Sequence, residues 1–191
     1  LRGRYGVFGP HIVVVPLSTV SNWVGEFRAW SPQTNVVVYG GSTESRRIIR
    51  DHEFYGRGRR VKFNVLLTTR EVVLKDRSFL ASIGWRYLVV DEAQCLKNPD
   101  AQLYQALMEL RTTNKLLITG TPLQNNIGEL WALVHFLMPQ RFASLAAFEA
   151  RYADIQQQEQ IVALHAELKP YLLRRVKKDV ERSLPQKHEQ I

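Results

Sequence analysis

The sequence predicts a parallel α/β sheet with helices on both faces. Three observations carry that prediction. Short β-branched apolar runs recur at residues 11–15, 35–39, 62–69, 87–90 and 115–119. Segments with helical spacing or polar helix-forming composition lie between them, the pattern of strands joined by crossover helices. The fourth run, Tyr87-Leu88-Val89-Val90, is continuously apolar and stops abruptly at Asp91-Glu92-Ala93-Gln94. A strand buried on both faces has that apolar continuity, and open α/β sheets bind their ligands at the carboxyl ends of such strands.

Taken in order, the elements read as follows. Residues 1–9 contain Gly and Arg without a clear period. His11–Val15 is a buried strand closed by Pro16. Pro16, Leu17, Ser18 and Thr19 form its loop, and Val20, Trp23, Val24, Phe27 and Trp30 then mark an amphipathic helix ended by Pro32. The second strand is 35–39, broken by Gly40 and Gly41, and a polar helix is predicted over 43–55. A loop rich in Gly and Arg (56–60) leads to the third strand within 62–69. Residues 70–75 and 78–83 are helical in pieces, 87–90 is the fourth strand, and 100–110 is a helix carrying Leu103, Ala106, Leu107 and Leu110. The fifth strand is 115–119.

Beyond Asn126 the period changes. Residues 127–137, 145–152 and 158–168 are predicted as helices, with Leu130, Trp131, Val134 and Leu137 on the apolar face of the first. The predicted division is a sheet domain over 1–126 and a helical extension over 127–191. Right-handed crossovers place the carboxyl end of every parallel strand on one edge. That edge gathers Pro16 to Thr19, Thr68 and Thr69, Asp91 to Gln94, and the loop from Thr119 to Asn126.

Composition narrows the classes. The 191 residues are 45% hydrophobic, ordinary for a domain with a sizeable core. Cys95 is the single cysteine, so no internal disulfide can form, which fits a reducing compartment. No apolar stretch approaches the ~20 residues of a membrane span, so no membrane partner is expected. No signal peptide is visible, and the chain begins with Leu1 rather than Met, as a piece of a longer protein would. The formal net charge is +8. The excess is concentrated around Arg46, Arg47, Arg50, Arg57, Arg59, Arg60 and Lys62, and again around Lys169, Arg174, Arg175, Lys177, Lys178, Arg182 and Lys187. Either cluster alone reads equally as a solvated helix face. Two together point to a polyanion such as a nucleic-acid backbone.

The edge loops carry the chemistry. Adjacent carboxylates at a strand end suit nucleotide hydrolysis, with one positioning a hydrated Mg²⁺ and the next polarising the attacking water. Acidic residues also follow buried strands simply because the loop is wet. Ser18, Thr19 or Ser21 can cap the helix that follows, and Thr68 and Thr69 can merely finish a strand. Trp23, Trp30 and Trp131 at helical spacing, and Trp85 before its strand, read as core rather than as base-stacking platforms. The five histidines show no metal-ligand spacing.

Taken together, Pro16-Leu17-Ser18-Thr19, Leu67-Thr68-Thr69, Asp91-Glu92-Ala93-Gln94, Thr119-Gly120-Thr121-Pro122-Leu123-Gln124-Asn125-Asn126 and the run 172–180 occur in this order. This arrangement resembles the first ATPase lobe of the SWI/SNF-family chromatin remodellers in helicase superfamily two. It is most similar to the chromodomain-helicase-DNA-binding (CHD) class. The Gly-Thr-Pro-Leu-Gln-Asn run is the most specific part, and the resemblance covers nearly the whole chain. It implies a RecA-like fold of the P-loop NTPase type and a nuclear DNA-dependent ATPase that moves along duplex DNA and slides nucleosomes. ATP and Mg²⁺ are the implied cofactors. Duplex DNA, histones and a second ATPase lobe of the same chain are the implied partners.

By that resemblance Asp91 helps hold Mg²⁺, Glu92 activates water, and Gln94 joins the catalytic set. Thr119, Gly120, Thr121, Gln124 and Asn125 couple hydrolysis to DNA movement. Pro16, Leu17, Ser18, Thr19, Thr68 and Thr69 hold phosphates of the tracked strand, a sequence-blind contact suited to hydroxyls and loop N–H groups. Arg174, Arg175, Lys177 and Lys178 meet DNA or the second lobe.

The sequence departs from the pattern in places. It contains no G-x-x-x-x-G-K-[ST] phosphate loop. The family carries that loop on an upstream strand and helix, so this chain alone is expected to be inactive and its sheet to lose a central strand, leaving two exposed edges. Gln94 and Cys95 stand where relatives usually carry His and Arg, and Arg70 where they usually carry Tyr. Two other readings share these observations: a DNA- or nucleosome-binding module without catalysis, and a repair or recombination translocase of the same family.

Overall fold

The computed structural model describes residues 8–56, 58, 60–120, 127–152 and 168–173. The chain divides into two compact units, Leu1–Leu145 and Ala146–Ile191. The first unit is built on a five-stranded sheet. Its strands are β1 (His11–Val15), β2 (Val36–Tyr39), β3 (Val65–Thr69), β4 (Trp85–Val90) and β5 (Thr112–Leu117). Their order across the sheet is β2-β3-β1-β4-β5, and every pairing is parallel. The helices are α1 (Val20–Trp30), α2 (Thr43–Ile49), α3 (Arg70–Lys75), α4 (Arg77–Ala81), α5 (Gln102–Met108) and α6 (Ile127–Leu137), with α7 (Leu145–Arg151) beyond them. No helix among the described residues is long and apolar enough to cross a membrane.

Position in the sheet explains composition. β1 is central and buried from Ile12 through Val15, so it tolerates an unbroken β-branched run. β5 is an edge strand, and its sequence, Thr-Thr-Asn-Lys-Leu-Leu, is correspondingly polar. The five strands run without a gap. The free edges are β2 and β5, the two outer strands of any open sheet.

Register gives each face a row of apolar residues. Val38, Leu67, Val13, Val89 and Leu116 align across one face. Val20, Trp23, Val24 and Phe27 of α1 pack on the middle of that face. Both ends of the row remain bare: Val38 is 43% exposed and Leu116 51%. On the opposite face Leu66, Ile12 and Leu88 are fully buried. There Tyr39, Phe54, Phe63, Phe79 and Trp85 form an aromatic cluster with edge-to-face and tilted contacts and a stacked Phe63–Trp85 pair. Tyr104 of α5 donates to the Ala132 carbonyl of α6, and Lys115 of β5 donates to that of Phe136.

Several local expectations change. The helix predicted over 43–55 is α2, capped by Ser42 accepting from the Ser45 N–H at 3.1 Å, followed by a π-helical turn over Arg50–Phe54. α1 has no side-chain cap. Thr19 precedes it, but its hydroxyl donates back to the Pro16 carbonyl at 3.0 Å. Trp85 and Trp131 are core, with their indole N–H groups donated to the Leu80 and Phe142 carbonyls. Trp30 is not: it is 84% exposed and donates to Glu26, because the apolar stripe that packs on the sheet ends at Phe27. The helix predicted over 158–168 lies almost wholly outside the described residues.

Candidate active site

Parallel register brings four strand ends to one edge, with Val15 beside Thr69 and Val90 beside both Val14 and Leu117. The hydrogen-bond ladder continues past those ends. Asp91 N–H donates to the Val14 carbonyl, Ile118 N–H to that of Val90, and Ala93 N–H to that of Ile118, at 2.8–2.9 Å. The Asp91-Glu92 pair is therefore tied to β1 on one side and to the β5 continuation on the other.

The polypeptide turns sharply at Glu92, which has φ 50° and ψ 52° and is the one non-glycine residue with positive φ among the described residues. Left-handed backbone costs an L-residue about 1–2 kcal/mol, so the surroundings must hold it. Ala93 and Leu96, in the 3₁₀ turn that follows, are fully buried and anchor one side. Asp91 anchors the other, one carboxylate oxygen accepting from the Glu92 N–H at 2.9 Å. The other oxygen accepts from the Trp23 indole at 2.9 Å. Arg70, at the start of α3, donates to the carbonyls of Glu92 at 2.9 Å and Asp91 at 3.3 Å. Burial pushes the Cys95 thiol up, with the Arg70 charge opposing that shift.

A side-chain relay runs along the same edge. Thr119 donates to the Gln94 carbonyl oxygen at 3.2 Å, and the Gln94 amide donates to the exposed Glu92 carboxylate at 2.7 Å. The relay orients Glu92 without placing a charge beside it. The carboxylate keeps its other oxygen for further contacts.

The remaining predicted residues fare differently. Leu17 and Ser18 are exposed in the 3₁₀ turn after β1, with Pro16 and Thr19 half-buried. Thr68 is buried and its hydroxyl donates to the Tyr39 carbonyl at 2.8 Å, so in this conformation it completes the sheet rather than facing solvent. Thr69 is buried too; the Glu71 carboxylate sits below the ordinary range because its own backbone N–H and the Thr69 hydroxyl donate to it. Gly120 is exposed beside Thr119. Thr121, Gln124, Asn125, Arg174, Arg175, Lys177 and Lys178 lie outside the described residues.

In the first basic cluster, Arg46 and Arg50 face Asp76, and Arg47 pairs with Glu44 and Asp51. Those charges are largely compensated within the fold. Sequence reasoning missed Trp23 and Arg70 as site residues. Trp23 sits on an apolar stripe, where only its indole N–H signals a second role.

The residues present fit half of a Mg²⁺–nucleotide site. Among the described residues no group of three His, Cys, Asp or Glu side chains could hold a metal by protein ligands alone. That suits Mg²⁺, which is held through one or two carboxylates, waters and substrate phosphates. The phosphate cradle is absent from this sequence.

A parallel sheet with a strand-terminal Asp-Glu pair and hydroxyl-bearing loops along the same edge defines a RecA-like lobe of the helicase-type ATPase class. The SNF2-related domain family matches residues 2–191, and the chain belongs to it. It is 55% identical to Protein CHROMATIN REMODELING 5 of Arabidopsis thaliana, over all of this chain and 11% of that protein. It is 50% identical to human Chromodomain-helicase-DNA-binding protein 1, over 98% of this chain and 11% of that one. The SWI2/SNF2 ATPase core of Sulfolobus solfataricus, solved in complex with dsDNA, superposes with a TM-score of 0.77 at 30% identity, covering 93% of this chain and 36% of that one. The chain thus spans only a small part of its curated relatives.

Proposed function

We propose that the chain is the first ATPase lobe of a nuclear remodeller in which ATP hydrolysis drives movement along duplex DNA and repositions nucleosomes. The observation that carries this is the relay from Thr119 through Gln94 to Glu92, set on a strand end whose preceding carboxylate is held by Trp23. Asp91 presents a fixed carboxylate to a hydrated Mg²⁺. The metal, when bound, offsets charge on the phosphate oxygens. Glu92 takes the proton of the attacking water, and Gln94 fixes its carboxylate for that task.

The Pro16–Thr19 loop and the β3 end at Thr68 and Thr69 lie at the same sheet edge as Thr119 and Gly120, and Thr121 continues the coupling motif in sequence. Movement of a DNA strand against those loops reaches Glu92 through one hydroxyl and one amide. Gln124 and Asn125 extend the coupling loop. Arg174, Arg175, Lys177 and Lys178 serve DNA or a second lobe. The phosphate cradle comes from a further strand–helix unit, for which the open β5 edge and the bare Leu116 side of the sheet leave room. This chain alone, lacking the cradle, does not turn over ATP.

The test is DNA-stimulated ATP hydrolysis by the full-length protein with Glu92→Gln. A lost general base lowers turnover about 10²–10⁴-fold, with ATP binding retained. Unchanged hydrolysis would remove Glu92 from the role.

A further inference from the structure

We infer that Arg70 is a positioning residue that holds Glu92 in its left-handed conformation, and so ties the helix following β3 directly to the acidic box. The inference rests on the hydrolytic reading of Glu92.

Arg70 follows Thr69, the last residue of β3. β3 does not touch β4, because β1 lies between them. The guanidinium nevertheless spans β1 and donates from a single nitrogen to two successive carbonyls, those of Asp91 and Glu92, at 3.3 and 2.9 Å. These are the peptide oxygens that flank the φ 50° residue. The Glu92 carbonyl also accepts from the Cys95 N–H, at 3.3 Å. The Arg70 contact is the shorter and carries a charge, and charge-assisted hydrogen bonds are about twice as strong as neutral ones. The Arg70 Nε is buried without a hydrogen-bond partner. An arginine side chain does not leave a donor unsatisfied in the interior unless its other contacts hold it there. Losing the Arg70 bonds leaves the strained backbone on its 3₁₀ anchors alone.

Arg70 acts on the backbone of Glu92, whereas the relay through Gln94 acts on the carboxylate. The catalytic oxygen is thus fixed from two directions. One starts at the β3 loop and the other at the β5 loop.

The test uses the full-length protein with Arg70→Gln and Arg70→Lys beside Glu92→Gln. Loss of a charged hydrogen bond to the site lowers DNA-stimulated kcat about 10- to 100-fold in Arg70→Gln, with the KM for ATP unchanged. Arg70→Lys, which keeps a charged donor, restores part of it. Hydrogen exchange of the 91–96 amides is faster in Arg70→Gln and can be read without turnover. Wild-type kcat and exchange in Arg70→Gln, with Glu92→Gln inactive, would overturn the positioning role and leave the base assignment standing. Full hydrolysis by Glu92→Gln would instead remove the reading beneath it. Gly9→Ala, at the opposite edge of the sheet, serves as a stability control. A kcat loss in Arg70→Gln no larger than in an equally destabilised Gly9→Ala protein would likewise overturn the inference.

Discussion

Asp76 shows what a buried charge requires of its neighbours. Its carboxylate accepts from the Tyr39 hydroxyl at 2.5 Å and from Arg46 Nε at 2.7 Å, with Arg50 at 4.0 Å, and its side chain is 9% exposed. Burial works to raise its pKa, but hydrogen bonds from Arg46 and Tyr39 and the nearby guanidinium charges prevail and hold it below the ordinary carboxylate range. A folded-state value below the unfolded one adds stability above pH ~4 that disappears as pH falls through the folded value. Asp76→Asn strands Arg46 in the interior and is expected to cost about 3–5 kcal/mol near neutrality. Denaturant unfolding should also show a flatter acid limb for the variant. At this scale the candidate site was only partly legible. Asp91, Glu92, Gln94 and Thr119 were readable because a strand-end carboxylate pair and a hydroxyl loop have chemistry that survives without coordinates. Trp23 was not, since an apolar stripe hides a donor that bonds across 68 positions of sequence. Arg70 looked like a local departure, because nothing in one dimension places it over Glu92.

Elements were legible where burial enforced a clean period. β1, with its unbroken apolar run, matches its predicted span, His11–Val15. β5 begins earlier than predicted, at Thr112, because an edge strand needs no apolar side chains on its solvent side and Thr-Thr-Asn gives no strand signal. The predicted 43–55 helix changes winding at Arg50, where packing of Phe54 against Tyr39 and Phe63 sets the phase of the turn. The entry to β1 depends on Gly9. Its φ is 102°, and a Cβ there would lie 2.4 Å from the Asn64 carbonyl oxygen, the acceptor for the His11 N–H. Gly9→Ala is expected to destabilise the fold by about 1–3 kcal/mol, read as a lower midpoint in thermal unfolding.

Across the whole molecule, the parallel α/β architecture was legible because strand and helix signals alternate. The uneven covering of its faces was not, since α1 covers the centre of one face and that follows from packing alone. Leu116 completes a row that begins at Val38, yet it lies on an uncovered flank beside an unpaired edge. Exposed apolar edges template association. Leu116→Thr introduces a β-branched, strand-compatible polar residue and is expected to lower self-association of the chain in light scattering while changing stability by less than about 0.5 kcal/mol.

The Thr119–Gln94–Glu92 relay has a thermodynamic consequence. One neutral hydrogen bond of about 0.5–1.5 kcal/mol and one to a carboxylate of about 1.5–3 kcal/mol bound the free energy the relay can transmit at about 4–5 kcal/mol. Linkage makes that energy symmetric. On the proposed reading, the factor by which nucleotide at Glu92 tightens DNA at the Thr119 loop equals the factor by which DNA tightens nucleotide.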